Sequence, residues 1–253
     1  MLNRRPIKED LNARKPIFGT SLLLGSTRVA EIIGRCGFDF VMVDTLHGHF
    51  DKSKATDAIR ALAATDTLPM GRVAHNDPGR INDLLDAGAL GLVVPMVNSA
   101  KEAAEAVSYT FYPPKGIRSK GSVAAVIYGE DYAQKANEEI LLVIMIETPE
   151  AVERADEILS VPGVDACLLG TSDLMFAMGC KRDDVALNQS ISRVIEAGAR
   201  HGVPVGMAVK DDLEAKQWRN RGAGFFLVPH DLFILHTAAK AIAHSFRSTL
   251  SGM

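Results

Sequence analysis

From residue 17 onward, short runs rich in Val, Ile, Leu and Met alternate with longer segments whose apolar residues recur at helical spacing. That alternation is the pattern of βα units laid around a parallel sheet. Eight runs are present: IFGTSLLL (17–24), FVMVDTL (40–46), LPMGRV (68–73), GLVVPMV (91–97), LLVIMIE (141–147), DACLLG (165–170), VPVGMAV (203–209) and GFFLVPH (224–230). Each is followed by a segment that predicts a helix. DPGRINDLLDAG carries Asp77 as N-cap, Pro78 in the first turn and Gly88 at the C-terminal cap. SAKEAAEAV and TPEAVERADEIL each pair a capping Ser or Thr with a Glu in the first turn. Eight such units in this length predict an α/β fold of the (β/α)8, or TIM barrel, type. One domain over 1–253 follows, with 1–16 as an N-terminal lead-in. An open doubly wound sheet is disfavoured, because LLLGST lacks the glycine spacing of a dinucleotide fingerprint and no acidic residue follows in the right place. Pro-Pro and repeated Gly in 112–137 predict a long loop after the fourth helix.

Composition narrows the function classes. With 47% apolar residues, 23% charged residues and a net charge of -3, the chain reads as an ordinary globular protein without the basic excess of a nucleic-acid binder. Cys36, Cys167 and Cys180 are odd in number and widely spaced, which fits reduced thiols in a cytoplasmic setting. The N-terminal MLNRRPIKEDLNARKP mixes both charge signs, unlike a signal peptide or anchor, and no apolar run approaches membrane-spanning length. Neither nucleic acid nor membrane is expected as a partner.

In a barrel of this type, chemistry sits where strands end at their C-terminal side. The second run ends in Asp44 and His47, the third in Arg72 and the fifth in Glu147, while the sixth runs into Thr171, Ser172 and Asp173. Each has a plain structural alternative. Asp173 could cap SDLMFAMG, Glu147 could cap TPEAV, and Arg72 could be an ion-pair partner of Asp44, a role compatible with catalysis. Asp86 is either an ordinary helix residue or the carboxylate that orients His47. Taken together they form a converging set. Glu147 and Asp173 end neighbouring strands, and two close carboxylates repel one another unless a cation lies between them. An oxygen-rich ligand set suits Mg, Mn or Co better than structural zinc. The N–H groups of Gly170, Thr171 and Ser172 open a helix, where a carboxylate is readily held, so the expected ligand is a small anion that chelates a metal. His49 and His75 lie beside turn or cap residues and His201, His236 and His244 on or at helix ends, whereas His230 could face the rim. Lys210 raises a Schiff-base alternative, against which stand the adjoining Asp211 and Asp212.

The segments GFDFVMVDTLHG, GRVAHNDP, LLDAGALGLVVPMV, YPPKGIRS, IETPEAVERADEILSVPGVDACLLGTSDLMFAMG and FFLVPHD carry a resemblance that covers nearly the whole chain after residue 15. In order and spacing it resembles the HpcH/HpaI family of class II pyruvate aldolases. The resemblance implies a metal-dependent (β/α)8 aldolase of the phosphoenolpyruvate/pyruvate superfamily. Such an enzyme makes or splits a 4-hydroxy-2-oxo acid through a pyruvate enolate, and it assembles as a homo-hexamer, a trimer of dimers. By the same resemblance Glu147 and Asp173 are the metal ligands, and Arg72 holds the keto and enolate oxygen. His47 assists the base with Asp86 as its orienting partner, Asp44 supports Arg72, and the Gly170, Thr171 and Ser172 amides bind the pyruvate carboxylate. Two departures stand out. This chain has DTLH where the family reads Asp-Gly-Glu-His, so Leu46 replaces a carboxylate; it has IMIE where the family reads Val-Gln-Ile-Glu, so Met145 replaces a glutamine. Both changes make the pocket more apolar and point to an acceptor other than the usual aldehyde. They are compatible with macrophomate-synthase-like members, which decarboxylate oxaloacetate to the same enolate. A non-catalytic keto-acid-binding barrel is the remaining alternative.

Overall fold

The structure is a computed structural model that describes residues 7–121 and 123–251. Its centre is a closed barrel of eight parallel strands: β1 (Ile17–Leu22), β2 (Phe40–Asp44), β3 (Leu68–Arg72), β4 (Gly91–Val94), β5 (Leu141–Ile146), β6 (Ala166–Leu169), β7 (Val205–Ala208) and β8 (Phe225–Leu227). β8 closes on β1, with Ile17 opposite Phe225. Every predicted run yields a strand, and each strand stops short of its run's C-terminal end. The residues left over turn out of the ladder onto the rim, Glu147 and His230 among them.

Register decides which of these residues meet. Asp44 lies directly opposite Arg72 on β2 and β3. Ile146 pairs with Leu169, so the next residues of the two strands, Glu147 and Gly170, emerge side by side.

The helices are α1 (Ile7–Asn12), α2 (Thr27–Ile33), α3 (Lys52–Ala63), α4 (Pro78–Ala87), α5 (Ala100–Thr110), α6 (Ala125–Tyr128), α7 (Tyr132–Glu139), α8 (Pro149–Glu153), α9 (Ala155–Leu159), α10 (Thr171–Met178), α11 (Val185–His201), α12 (Asp212–Asn220) and α13 (Asp231–Ser251). The predicted caps form: Asp77 accepts from the Arg80 N–H, Ser99 from Glu102 and Thr148 from Ala151. Gly88 ends α4 at φ 110°, a conformation that favours glycine. TPEAVERADEIL is broken at Arg154 into α8 and α9 rather than forming one helix.

The predicted long loop over 112–137 is corrected by the structure, since α6 and most of α7 lie within it. Its order comes from packing that local punctuation does not reveal. Tyr132 is buried and stacks on Tyr128 with ring centroids 5.9 Å apart. The buried Arg118 guanidinium sits over the Tyr112 and Tyr132 rings and donates to the Tyr132 hydroxyl at 3.1 Å.

The N-terminal end of the barrel is closed by apolar packing. Ile7 and Leu11 of α1 line an apolar space together with Met42, Met70, Leu141 and Phe225 from the strands. Chemistry is thereby confined to the opposite end. α13 begins firmly, because the buried Asp231 carboxylate accepts from the Leu23 and Leu24 amides at 2.8 and 3.1 Å. Beyond that anchor the side chains of α13 from 232 to 250 are exposed. No described helix is long and apolar enough to cross a membrane.

Candidate active site

At the C-terminal rim, β2 and β3 build a closed ion pair. Asp44 has no exposed surface. Its Oδ1 accepts from Arg72 Nε at 3.0 Å and from the Leu46 and His47 amides at 2.9 and 3.2 Å, while Oδ2 accepts from Arg72 Nη2 at 2.5 Å. Burial pushes the Asp44 carboxyl up, but the Arg72 hydrogen bond and charge, with the two amides, outweigh it and hold the group below the ordinary carboxylate range. The guanidinium is therefore clamped along one edge. Among the described residues its remaining nitrogen, Nη1, meets the Met145 sulfur at 3.8 Å, a weak acceptor that a substrate oxygen can displace.

β5 and β6 supply a second acidic site of opposite character. Glu147 is 3% exposed, and its Oε1 accepts from the Met96 amide at 2.7 Å. Burial pushes the Glu147 carboxyl above its usual range, and the neighbouring Asp173 carboxylate adds to the rise against the opposing Met96 amide and Arg72 charge. Gly170 makes this arrangement possible, since a Cβ there would lie 2.5 Å from Glu147 Cβ and 2.6 Å from Glu147 Oε2. Neither carboxylate is an N-cap: Thr148 caps α8, Gly170 occupies the cap position of α10, and Asp173 lies exposed in that helix's first turn. The cap alternatives for Glu147 and Asp173 are thus removed. Among the described residues no group of three or more His, Cys, Asp and Glu side chains gathers as a metal site. The chain's own donors would be these two carboxylates, an oxygen-only set with room for substrate, which fits a hard divalent cation.

Of the three amides assigned to carboxylate binding, the structure corrects one. The Gly170 N–H donates to the Ile146 carbonyl at 2.9 Å because the β5–β6 ladder continues to that point. The Thr171 and Ser172 N–H groups lie in the first turn of α10, where helix geometry leaves them without intrahelical partners. Thr171 is buried with its hydroxyl unpartnered, and Ser172 is exposed.

His47 stands exposed at the rim, positioned by its amide bond to Asp44, with the half-buried Leu46 beside it. Asp86, assigned by the resemblance to orient it, is paired elsewhere among the described residues. The Asp86 carboxylate accepts from Arg118 Nη2 at 3.1 Å, because the buried Arg118 guanidinium requires an anion. His49 and His75 are exposed, His201 lies 3.3 Å from Asp156, and the His230 ring accepts from the Phe233 amide at 3.3 Å. Lys210 is exposed, not in the desolvated setting a Schiff-base lysine needs. Cys36, Cys167 and Cys180 are all unpaired.

One site residue escaped the sequence reading. Met96 follows β4 at φ 56°, a left-handed conformation that costs a residue with a side chain about 1–2 kcal/mol, and in that conformation its amide meets Glu147. No residue pattern signals it, since the functional group is a backbone N–H.

Known proteins share this architecture and sequence. The profile of the HpcH/HpaI aldolase/citrate lyase family matches residues 21–238. A 4-hydroxy-2-oxo-heptane-1,7-dioate aldolase of Escherichia coli is 36% identical over 249 residues, 94% of each chain. A hydroxypyruvate/pyruvate aldolase of Paraburkholderia phytofirmans is 32% identical over 254 residues, 96% of this chain and 98% of that one. The crystal structure of an HpcH/HpaI aldolase/citrate lyase family protein from Burkholderia cenocepacia superposes with a TM-score of 0.89 at 30% identity, covering 95% of this chain and 98% of that one. With sequence, barrel and relatives in agreement, the chain belongs to the HpcH/HpaI aldolase/citrate lyase family and functions as an aldolase, a carbon–carbon lyase.

Proposed function

We propose that this aldolase is metal-dependent and reversibly cleaves a 4-hydroxy-2-oxo acid to pyruvate and an aldehyde. The observation that carries the reading is the pairing of an Asp44-clamped guanidinium, whose Nη1 is left to a weak acceptor, and a buried Glu147 held above its usual pKa range beside Asp173. Glu147 and Asp173 would hold Mg, Mn or Co, and the cation would supply Lewis-acid stabilisation of the 2-oxo group. Arg72 donates to the same oxygen as negative charge develops on it. Thr171 and Ser172 amides at the start of α10 bind the carboxylate. His47 moves the proton of the 4-hydroxyl: as it leaves, C4 becomes a carbonyl, the C3–C4 bond breaks, and its electron pair becomes the pyruvate enolate, which a proton at C3 converts to pyruvate. Without such stabilisation a methyl or methylene next to a ketone is too weak an acid at neutral pH.

The expected outcome is exchange of pyruvate methyl protons with solvent deuterium, followed by NMR, that is abolished by EDTA, restored by Mn or Mg, and untouched by borohydride. Exchange that survives EDTA and is lost with borohydride would overturn the metal reading in favour of an imine. Pyruvate binding without any exchange would favour a keto-acid-binding barrel.

A homo-hexamer built as a trimer of dimers, in a cytoplasmic setting, belongs to the same reading. What supports association is α13, which exposes Leu232, Phe233, Leu235, Ile242, Phe246 and Leu250 within the single chain. An apolar groove lined by Phe18, Phe38, Ala215, Phe226 and Val228 adds a second uncovered surface. Light scattering should give six times the chain mass; a monomer would refute it.

A further inference from the structure

The amide of Met96 has a role at Glu147, but its side chain does not follow from that role. A glycine at φ 56° would deliver the same N–H without strain. The surrounding backbone is held by other bonds: the Val97 amide donates to the Met145 carbonyl at 3.2 Å, Asn98 Nδ2 donates to the Met96 carbonyl at 3.0 Å, and the Thr148 hydroxyl donates to Asn98 Oδ1 at 2.5 Å. Nor does core packing account for the side chain, because Met96 is 53% exposed. A large apolar group that is both strained and uncovered, with its own amide on Glu147, is a candidate for contact with a ligand at that site.

Its neighbours define what that ligand offers. Arg72 ends β3; Leu46 and Met96 follow the flanking strands β2 and β4, and Met145 lies on β5, the next strand beyond β4. Met145 is 4% exposed, with its sulfur 3.8 Å from Arg72 Nη1 and its methyl close to Gly170 and hence to Glu147. A leucine and two thioethers thus follow or end the strands nearest to Arg72, and of these the Met145 sulfur meets its guanidinium.

We propose that Met96 is a specificity-determining residue of the aldol reaction, forming with Leu46 and Met145 the apolar wall against which the aldehyde acceptor lies. The enzyme then favours an acceptor with a neutral hydrocarbon chain over one that carries a second carboxylate, whose charge this wall would desolvate without a partner. The inference rests on the reading of Arg72 and Glu147 as the enolising machinery.

The test compares aldol addition of pyruvate to butanal and to succinic semialdehyde, which differ at the end remote from the aldehyde, using the full chain loaded with Mn. Wild type should prefer butanal in kcat/KM. Met96→Gly should lower that ratio about tenfold, through KM for butanal, and Met96→Leu should keep it. Any effect on the shared enolisation step cancels in the ratio. Should Met96→Gly not fold, Met96→Gln carries the comparison with the same expected fall. A wild-type preference for succinic semialdehyde, or a ratio unmoved by Gly or Gln, would overturn the proposal. Absence of pyruvate methyl exchange in wild type would instead refute the enolising reading, and the proposal with it.

Discussion

Two buried carboxylates stand on the same rim and end in opposite electrostatic states. Asp44 receives four hydrogen bonds, two of them from a guanidinium, and its carboxyl is held below the ordinary range. Glu147 receives the Met96 amide, faces another carboxylate, and is pushed above that range. Desolvation is the largest single influence on each, so burial does not distinguish them. The partner does. Asp44 is complete within the chain and serves to aim Arg72, whereas Glu147 is left short of positive charge, the condition a bound cation would relieve.

The most disruptive way to break this contrast is Asp44→Ala, which leaves the Arg72 guanidinium without its anion. Breaking a buried pair in this way should cost about 3–5 kcal/mol of stability, read as a lower urea midpoint. A loss under about 1 kcal/mol would mean that water or Glu147 takes over the Asp44 role.

Arg72→Ala removes the other half of the pair and with it the donor proposed for the enolate oxygen. Pyruvate methyl exchange should fall about 100- to 1,000-fold. Arg72→Lys should recover little, since one ammonium cannot hold both Asp44 oxygens and still present a directed N–H to substrate. Near-normal exchange in either variant would remove Arg72 from the chemistry.

The smallest effect is the sharpest comparison, because the two carboxylates should give pH dependences of opposite sign. Asp44 is depressed in the folded state, so its stabilisation is present above the ordinary carboxylate pKa and is lost as pH falls through its lower folded value. Glu147 is raised, so its ionised form is penalised: the penalty is absent below the ordinary value, grows as pH rises through its higher folded value, and persists above it. In EDTA, Asp44→Asn should therefore be less stable than wild type near neutrality, and Glu147→Gln at least as stable. Both differences should shrink toward acid pH. Urea midpoints from about pH 2 to 8 would measure them, since the Asp44 difference is lost only below the ordinary carboxylate value, and a Glu147→Gln variant less stable than wild type at pH 7 would reverse the interpretation of that site. The same variant should lose more than about 10- to 100-fold in Mn affinity.

Much of this was legible along the chain. All eight strands and the caps at Asp77, Ser99 and Thr148 follow from local pattern, because strand burial and N-terminal capping are short-range requirements. The Asp44 and Arg72 pairing was legible as a structural role that can coexist with catalysis, and the pair forms along one guanidinium edge and leaves Nη1 outside it. Asp86 has a partner that the sequence did not reveal. It shares a helix with credible core positions, and the cation that claims it, Arg118, comes from a segment whose Pro and Gly content conceals α6 and α7.

The sequence by itself determined the alternation that closes into a barrel, and with it the end of each strand where polar residues must emerge. Periodicity and capping act over a few residues, so they can be read from a few residues. Only the tertiary structure decided how those emerging groups are paired: Asp44 with Arg72, Asp86 with Arg118, Glu147 against Asp173 and beneath the Met96 amide. Electrostatic character depends on distances of a few ångströms between groups far apart in the chain, and on backbone N–H directions that no residue name encodes. Two acidic residues at strand ends therefore look alike in sequence, and acquire opposite electrostatic character only when the barrel closes.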